Sequence, residues 1–347
     1  MLLERKATTA LAAIEHLVAM QAQVARPPFV GLWTRLQGFR RAELAEALQS
    51  RRVVRVTSLR GTLHLMSSAD YLGLRGALQP MLTRGTQSIL RERASALDME
   101  TLDAEARRFF GKAPATFDAL RAHLKSKFPK GDERAMAYAI RNHLPLVQVP
   151  TGAVWAFPAA ADFALADVWL SKRVPTAASS AERLVLRYLA AFGPATPADA
   201  QAWSGLGGLR EVFESLRPTL VTFRDERKRE LFDLPDAPRP DPDTPAPLRF
   251  VADFDNLVLS HDDRTRIMAD EHRSRVTTKN LQVRATFLVD GFVAGTWRSE
   301  RKRKTAVLLM EPFGAVAKRL RSQLEDEGQA LLGFLEEDAT EHEVRWS

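Results

Sequence analysis

The stretch ERLVLRYLAAFGPATPADAQAWSGLGGLREVFESLRPTLVTFRDERKRELFDL, residues 182–234, decides the fold. Residues 182–192 carry apolar side chains at the i, i+3 and i+4 spacing of an amphipathic helix. A Gly-Pro pair ends that helix, and Thr196 can cap a second one that has proline in its first turn. A glycine-rich turn then leads into a third helix, predicted over 209–216.

The remainder of this stretch predicts a β-hairpin. Two runs of alternating character, 219–224 and 230–234, flank a charged tip at 225–229. Three helices followed by a two-stranded hairpin is the order of a winged helix-turn-helix. The usual role of such a module places its third helix in a DNA major groove.

The same order of elements recurs twice upstream. A second module is predicted from helices at 116–127 and 132–143 and strands at 146–149 and 154–157. A first module is predicted from a helix at 41–49 and strands at 53–58 and 62–66. The repetition lies in the order of the elements and not in the residues themselves.

The pattern changes after the third module. Residues 236–247 hold five prolines among twelve residues and predict an extended linker. Asp290-Gly291 is a strong hairpin signal. The other predicted elements of this region are strands at 249–259, 283–289, 292–297 and 305–310, a basic hairpin tip at 298–304 and an amphipathic helix at 313–335.

We therefore predict an α/β (α+β) protein of three tandem winged helix-turn-helix modules, followed by a β-sheet region with one covering helix. The predicted boundaries are 1–110 for the first module, 111–178 for the second, 179–240 for the third and 241–347 for the β-rich region.

The composition excludes several classes of function. The 347 residues include no cysteine, so disulfides, zinc–thiolate sites, iron–sulfur clusters and thiol catalysis are excluded. Fifty Lys and Arg oppose 43 Asp and Glu, and the formal net charge of +7 is compatible with a nucleic-acid partner. No run approaches the roughly 20 apolar residues of a membrane span, and the N-terminus lacks a signal-peptide pattern. We expect a cytoplasmic protein without membrane attachment.

Two glutamines, Gln21 and Gln23, follow the apolar N-terminal helix. Residues two apart on an ideal helix point about 200° from each other. The two side chains can therefore share a target only where the helix ends or the chain is extended, and the prolines at 27 and 28 favour an exit there. Converging amide carbonyls can orient a water molecule or stabilise a developing positive charge. The alternative is that both are ordinary surface or capping residues.

Four blocks of sequence carry a family resemblance. In chain order they are AMQAQVARPPFVGLWTRL (19–36), VTSLRGTLHLMSSADY (56–71), FDNLVLSHDDRTRIM (254–268) and FLVDGFVAGTWR (287–298). Together they resemble the AlkZ/YcaQ-type winged-helix DNA glycosylases, over essentially the whole chain. The resemblance implies three tandem winged-helix modules in a C-shaped arrangement. The Gln-Ala-Gln triplet fits the Gln-aliphatic-Gln motif of the AlkZ-like branch, whereas the YcaQ branch carries Asp in the second position.

The resemblance implies a reaction as well as a fold. AlkZ-type members hydrolyse the N-glycosidic bond of N7-alkylated purines, including bulky adducts and interstrand crosslinks, in alkylation repair or in self-resistance to a DNA-alkylating natural product. N7 alkylation puts a positive charge on the purine and makes it a good leaving group. Amide oxygens of Gln21 and Gln23 can then position water and stabilise the sugar cation without a fixed charge. No amine is identified near the motif, so we expect a monofunctional enzyme without Schiff-base chemistry. We also expect that it needs no cofactor and acts as a monomer on double-stranded DNA.

The block RGTLHL predicts a strand that places Thr62 and His64 on one face. The resemblance implies that Arg60, Thr62 and His64 contact the lesion or the DNA near the glutamines. For His64 the alternative is a hydrogen-bonded structural histidine.

Basic residues of the C-terminal region are predicted to contact phosphate. They are Arg264, Arg266, Arg298, Arg301, Lys302, Arg303 and Lys304. For the hairpin, the alternative is a solvated tip that blocks edge pairing. A metal site at His261, Asp262 and His272 is a further alternative, but their spacing fits no known site. We predict a loop with capping carboxylates there, and no metal.

Two other classes of function stay open on the sequence. A winged helix commonly binds DNA without catalysis, so a regulator or a drug-sequestering module is the main alternative. A regulator would prefer one DNA sequence and would not need the glutamine motif together with the RGTLHL block. An enzyme acting on free nucleosides is a third possibility, which the basic surface disfavours.

Overall fold

The structure is a computed structural model that describes residues 1–95 and 97–347. Its α-helices are α1 (Ala10–His16), α2 (Pro27–Arg35), α3 (Arg41–Gln49), α4 (Ser68–Leu90), α5 (Glu92–Ser95), α6 (Met99–Phe110), α7 (Phe117–Lys127), α8 (Glu133–His143), α9 (Ala166–Leu170), α10 (Glu182–Phe192), α11 (Pro197–Ser204), α12 (Leu209–Leu216), α13 (Asn256–Leu259), α14 (Arg273–Val276) and α15 (Lys318–Leu335). Its strands are β1 (Met20–Gln21), β2 (Val53–Thr57), β3 (Leu63–Ser67), β4 (Leu146–Gln148), β5 (Phe163–Leu165), β6 (Val221–Arg224), β7 (Glu230–Asp233), β8 (Arg249–Val251), β9 (Thr286–Val289), β10 (Phe292–Lys302), β11 (Thr305–Pro312) and β12 (Glu341–Trp346).

The chain divides into two compact units. The larger unit comprises residues 10–25 and 41–237, and the smaller unit comprises residues 1–9, 26–40 and 238–347. The first forty residues therefore contribute to both units. The division into four consecutive segments made from the sequence stays a prediction.

The stretch 182–234 folds as predicted, within the larger unit. Helices α10, α11 and α12 are followed by the antiparallel hairpin of β6 and β7. Thr196 and Asp199 form a reciprocal capping box that begins α11. Gly205 ends that helix with a φ of 79°, a left-handed conformation that glycine adopts without steric cost. These local signals explain why this module was readable from the sequence.

The first two modules share one sheet. The hairpin of β2 and β3 joins the pair β4–β5 through antiparallel pairing of β2 with β4, and β1 adds to the free edge of β3. Apolar residues of β2, β3 and β4 pack with helices α4, α10 and α11 in one core. A second core joins helices α6, α7 and α8 with β4 and β5.

The smaller unit is built on a five-stranded sheet of order β12-β11-β10-β9-β8. Asp290 and Gly291 both have positive φ at the β9–β10 turn, as the hairpin signal predicts. Helix α15 packs against β8, β11 and β12. At Gly295 of β10, an added Cβ would lie 2.4 Å from the Phe287 ring, so only glycine permits this close approach of the strands.

Four predicted elements are wrong in part. Residues 154–157 form a turn instead of a strand, because Ala156 takes a left-handed φ of 64°, and β4 pairs instead with β5. The run 249–259 is a strand only to Val251, after which Asp255 caps α13. Residues 298–302 belong to β10, so the hairpin tip is shorter than predicted, and α15 begins at Lys318 instead of residue 313. Among the described residues, no helix is long and apolar enough to cross a membrane.

Candidate active site

The chain leaves helix α1 before it reaches Gln21. The helix ends at His16, and Val18 takes a φ of 65°, which redirects the backbone. Met20 and Gln21 then pair with β3, where Gln21 lies directly opposite His64. The extended chain that the two glutamines require is therefore present at the first of them.

The second glutamine continues the same edge. The Ala22 amide donates to the Leu63 carbonyl at 2.7 Å, and the Leu63 amide donates to the Gln23 Oε1 atom at 3.4 Å. Strand β1 ends at Gln21, and residues 23–26 form a bend. Gln21 is buried with 8% of its surface exposed, whereas Gln23 is exposed.

Arg60 contacts the first glutamine. Its Nη2 donates to Gln21 Oε1 at 2.7 Å, and its Nη1 donates to the carbonyl of Trp203 near the C-terminal end of α11. That helix end carries partial negative charge, which favours a cation there. Arg60 itself has a φ of 53°, in the turn between β2 and β3. The third module thus contributes a contact that orients the guanidinium.

His64 lies beside this contact and is fully buried. Its Nε2 is 3.4 Å from Arg60 Nη2, and its Nδ1 is 3.1 Å from the Thr62 carbonyl. Because arginine only donates and a carbonyl only accepts, the ring is neutral with its proton on Nδ1. Burial, followed by the charge of Arg60, lowers the pKa of His64 to about 3.

Thr62 is half-buried, and its hydroxyl donates to the Leu59 carbonyl at 3.3 Å. The structure thus brings all five predicted residues of this region to one sheet edge: Gln21, Gln23, Arg60, Thr62 and His64. A direct contact of His64 with a ligand would require its cover to move.

Sequence reasoning missed Arg55. It is the middle residue of β2, all five residues of which are buried, and its guanidinium donates to the carbonyls of Ala22 and Gln23. A charged residue inside the apolar run VVRVT was the signal that could have found it.

The arrangement presents two amide groups, one guanidinium and one neutral imidazole. Within the described residues, each glutamine Oε1 accepts one hydrogen bond, and a carbonyl oxygen has two lone pairs. One acceptor position on each amide therefore remains for water or a substrate atom. Such a set can orient a neutral nucleophile and stabilise positive charge through dipoles.

The predicted phosphate contacts lie in the smaller unit and differ among themselves. Arg298 is ion-paired with Glu300, and Arg301 is ion-paired with Glu336 and Asp338, at 3.1 Å and 2.5 Å. Those two carboxylates raise the pKa of Arg301. Lys302, Arg303 and Lys304 are exposed at the β10–β11 turn, and within the described part of the chain they form no ion pair.

Arg264 and Arg266 lie on a loop of the same unit. Arg264 is half-buried and donates to the Thr277 hydroxyl at 3.0 Å, and burial lowers its pKa. Arg266 is exposed and lies 2.9 Å from His261 Nε2. Asp263 accepts hydrogen bonds from the amide and hydroxyl of Thr265, as expected of a capping carboxylate. In the residues described, no three His, Asp or Glu side chains are grouped to hold a metal ion.

Comparison with known proteins identifies the class. The model of the family described as DNA glycosylase AlkZ-like matches residues 14–334. This chain is a DNA glycosylase, and DNA is its substrate. It belongs to the AlkZ-like DNA glycosylase family. The regulator predicted as the main alternative is thereby set aside.

A solved structure supports the fold. The chain is similar to the DNA glycosylase AlkZ of Streptomyces sahachiroi, with 22% sequence identity and a TM-score of 0.79, over 100% of this chain and 95% of that one. This likeness confirms the predicted α/β class with tandem winged helices. No curated protein matches the chain.

Proposed function

We propose that this DNA glycosylase hydrolyses the N-glycosidic bond of N7-alkylated purines, with Gln21 and Gln23 as its catalytic residues. One observation carries the proposal. The Oε1 atoms of both glutamines accept hydrogen bonds from the same short segment, Gln21 from Arg60 and Gln23 from the Leu63 amide. The two amides therefore act on one region of the sheet edge.

The chemistry suits a leaving group that is already charged. An N7-alkylated purine departs as a neutral base, so strong general-acid assistance is unnecessary. The remaining acceptor positions of Gln21 and Gln23 orient the attacking water and stabilise the oxocarbenium-like sugar by their dipoles. A carboxylate would activate water more strongly, and its absence from this set favours weakened bonds over normal nucleosides. No amine belongs to the set, so the enzyme is monofunctional.

Arg60, Thr62 and His64 serve the same site. Arg60 and Thr62 are half-buried and can contact the lesion or its flanking phosphate. His64 acts through Arg60, because its Nε2 faces that guanidinium and its ring is fully buried.

The exposure of the motif supports large adducts as substrates. Gln23 is exposed, and the next residue, Val24, is 53% exposed. A bulky adduct or an interstrand crosslink cannot easily be extruded into a closed pocket, whereas an amide at the surface can reach it without extrusion. We therefore place the enzyme in the repair of bulky alkylation damage, either in general base excision repair or in self-resistance to a DNA-alkylating compound.

The exposed cations of the β10–β11 turn supply affinity for the duplex. Lys302, Arg303 and Lys304 present three positive charges to solvent. Neutralisation of DNA phosphates by such side chains releases counterions and dominates affinity. Arg264, Arg266, Arg298 and Arg301 complete the proposed contact set. The monomeric state and the cytoplasmic location stay predictions, and sedimentation of the purified protein tests the first.

The test is excision of a single N7-methylguanine from a duplex, scored as alkali-induced strand breaks above spontaneous depurination. We expect excision by the wild type and a loss of about 100-fold or more in Gln21→Ala/Gln23→Ala. Gln49→Ala is the matched control, because Gln49 is an exposed glutamine of the same unit at the end of α3. We expect it to excise at the wild-type rate.

Parallel substrates carry a bulky N7 adduct and an N7–N7 crosslink. Sodium borohydride should trap no covalent complex, since the mechanism forms no Schiff base. A wild type that stays at background on all three substrates while it binds DNA would overturn the proposal.

A further inference from the structure

Arg55 occupies an unusual position for an arginine. It is the central residue of β2, with Leu65 of β3 on one side and Gln148 of β4 on the other. Only 5% of its surface is exposed. A charged side chain that is so deeply buried is costly unless hydrogen bonds inside the protein replace most of its contacts with water.

Its partners are the carbonyls of the glutamine motif. Nε and Nη2 donate to the Ala22 carbonyl at 2.9 Å and 2.7 Å, and Nη2 also donates to the Gln23 carbonyl at 3.3 Å. One planar guanidinium thus contacts two consecutive peptide groups, the one that joins Ala22 to Gln23 and the one that follows Gln23. Ala22 is fixed on its other side by the bond from its amide to the Leu63 carbonyl.

The arrangement carries a cost. Within the described residues Arg55 has no carboxylate partner, and its guanidinium stacks on the Phe157 ring at 4.7 Å. Burial, followed by the charge of Arg141, lowers the pKa of Arg55 to about 10. A buried cation without a counter-charge is destabilising unless its hydrogen bonds compensate. A neutral side chain would serve the core better, so the carbonyl contacts are the reason for a cation there.

We infer that Arg55 is a positioning residue for the glutamine pair, and that it acts by fixing the backbone of residues 22 and 23, next to both amide side chains. The inference rests on the proposed function, since it assigns a role in the same reaction. A displacement of about 1 Å in a positioning group can cost about 100-fold in rate. Lysine cannot replace the guanidinium, because its single ammonium lacks the planar fork that engages two carbonyls at once.

The chain offers a matched control in Arg75. Arg75 of α4 lies in the same unit, has 1% of its surface exposed and also donates to two backbone carbonyls, those of Asn142 and His143, at 3.1 Å and 3.2 Å. Those carbonyls lie at the end of α8 and not in the motif. Arg55→Lys and Arg75→Lys each replace a buried guanidinium that contacts two backbone carbonyls, through three hydrogen bonds at Arg55 and two at Arg75, and they differ in which backbone loses the contacts.

The experiment compares both variants with the wild type in three measurements. These are the single-turnover excision rate at saturating enzyme on the N7-methylguanine duplex, the Kd for that duplex, and the urea midpoint of unfolding. We expect Arg55→Lys to lower the rate about 100-fold while Kd changes less than threefold. We expect both variants to lower the urea midpoint by similar amounts. Arg75→Lys should nevertheless excise within threefold of the wild-type rate.

Hydrogen exchange supplies a readout that does not depend on activity. Arg55→Lys should speed the exchange of amides in residues 20–24, and Arg75→Lys should not. Equal rate losses in the two variants, or an unchanged rate in Arg55→Lys, would overturn the inference. If the wild type itself shows no excision, the proposed function fails. Hydrogen exchange tests the contact of Arg55 with the motif separately, because unchanged exchange at residues 20–24 in Arg55→Lys would refute that contact.

Discussion

The glutamine motif and the β10–β11 turn both depend on arginine and lysine, but they use the positive charge in opposite ways. At the motif, Arg55 and Arg60 donate hydrogen bonds to carbonyl oxygens of the protein. At the turn, Lys302, Arg303 and Lys304 lie in solvent and form no ion pair within the described residues. The first set is buried or half-buried, and the second is exposed.

This difference separates two tasks of one enzyme. Donors that are bonded to carbonyls of the protein are not available to DNA phosphates, but they fix atoms to within a hydrogen-bond length. Exposed cations have many conformations and position nothing, but each adds to the field that attracts a polyanion. We therefore expect changes at the motif to alter the excision rate, and changes at the turn to alter affinity and its salt dependence.

The largest effect, on the excision rate, is expected from a substitution that keeps the positive charge but removes the hydrogen-bond geometry of the guanidinium. Arg60→Lys retains the cation but loses the fork that joins Gln21 Oε1 to the Trp203 carbonyl. The single-turnover excision rate should fall about 100-fold. The salt dependence of DNA binding should stay unchanged, because the charge remains.

The control for this variant is Arg303→Lys at the turn, which should leave both the rate and the salt dependence within experimental error. An Arg60→Lys enzyme that excises at the wild-type rate would show that charge alone suffices at the motif. The contrast between the two regions would then lose its basis.

A second, smaller effect, on DNA affinity and its salt dependence, is expected when the exposed charges are removed and the glutamine motif is left unchanged. Replacing Lys302, Arg303 and Lys304 by alanine should lower the slope of log K against log salt by about 2.7, at about 0.9 per lost phosphate contact. The excision rate at saturating enzyme should change less than twofold. Anisotropy titrations between 50 and 200 mM salt measure the slope, over a range where it corresponds to about 40-fold in affinity.

Arg301→Ala is the matched comparison on the same hairpin. Its guanidinium is already paired with Glu336 and Asp338, so its loss should lower the slope by less than one. A triple variant with the wild-type slope would exclude this turn from the DNA contact.

The parts of the fold that follow local rules were readable in the sequence. The module at 182–234 has a capping threonine, glycines that end helices and a polar turn, and each of these signals acts over a few residues. The extended chain at Gln21 was also predictable in outline, because the prolines at 27 and 28 limit how far a helix can run. Alternation predicted the strand in RGTLHL, whereas the place of its side chains at the site was predicted by resemblance alone.

What the sequence left out is contact between distant segments. The pairing of β1 with β3 and the donation from Arg55 to Ala22 each join residues more than thirty positions apart. Arg35 and Asp255 form a buried pair at 2.8 Å and 2.6 Å across 220 positions, which links two of the four resemblance blocks. Periodicity contains no information about such partners. The wrong strand at 154–157 has the same origin, because Phe157 is used to cover Arg55 and not to extend a hairpin.

The smallest expected effect concerns the neutral histidine at the motif. The pKa of His64 is lowered from 6.5 to about 3 by burial, so below pH 6.5 the unfolded chain binds a proton that the folded chain does not. The free energy of unfolding should therefore fall as the pH falls, by about 1 kcal/mol between pH 6.5 and 5.5 from this residue alone. Urea unfolding of the wild type and of His64→Gln at the two pH values measures this contribution. It is the difference between the two proteins in how much the free energy of unfolding changes with pH, called here the pH slope. The triple alanine variant of the β10–β11 turn removes no group that titrates in this range, so it should keep the wild-type slope. A His64→Gln protein with the wild-type pH dependence would show that the ring binds protons equally in the folded and the unfolded chain, and Arg60 would then face a ring that gains a positive charge as the pH falls.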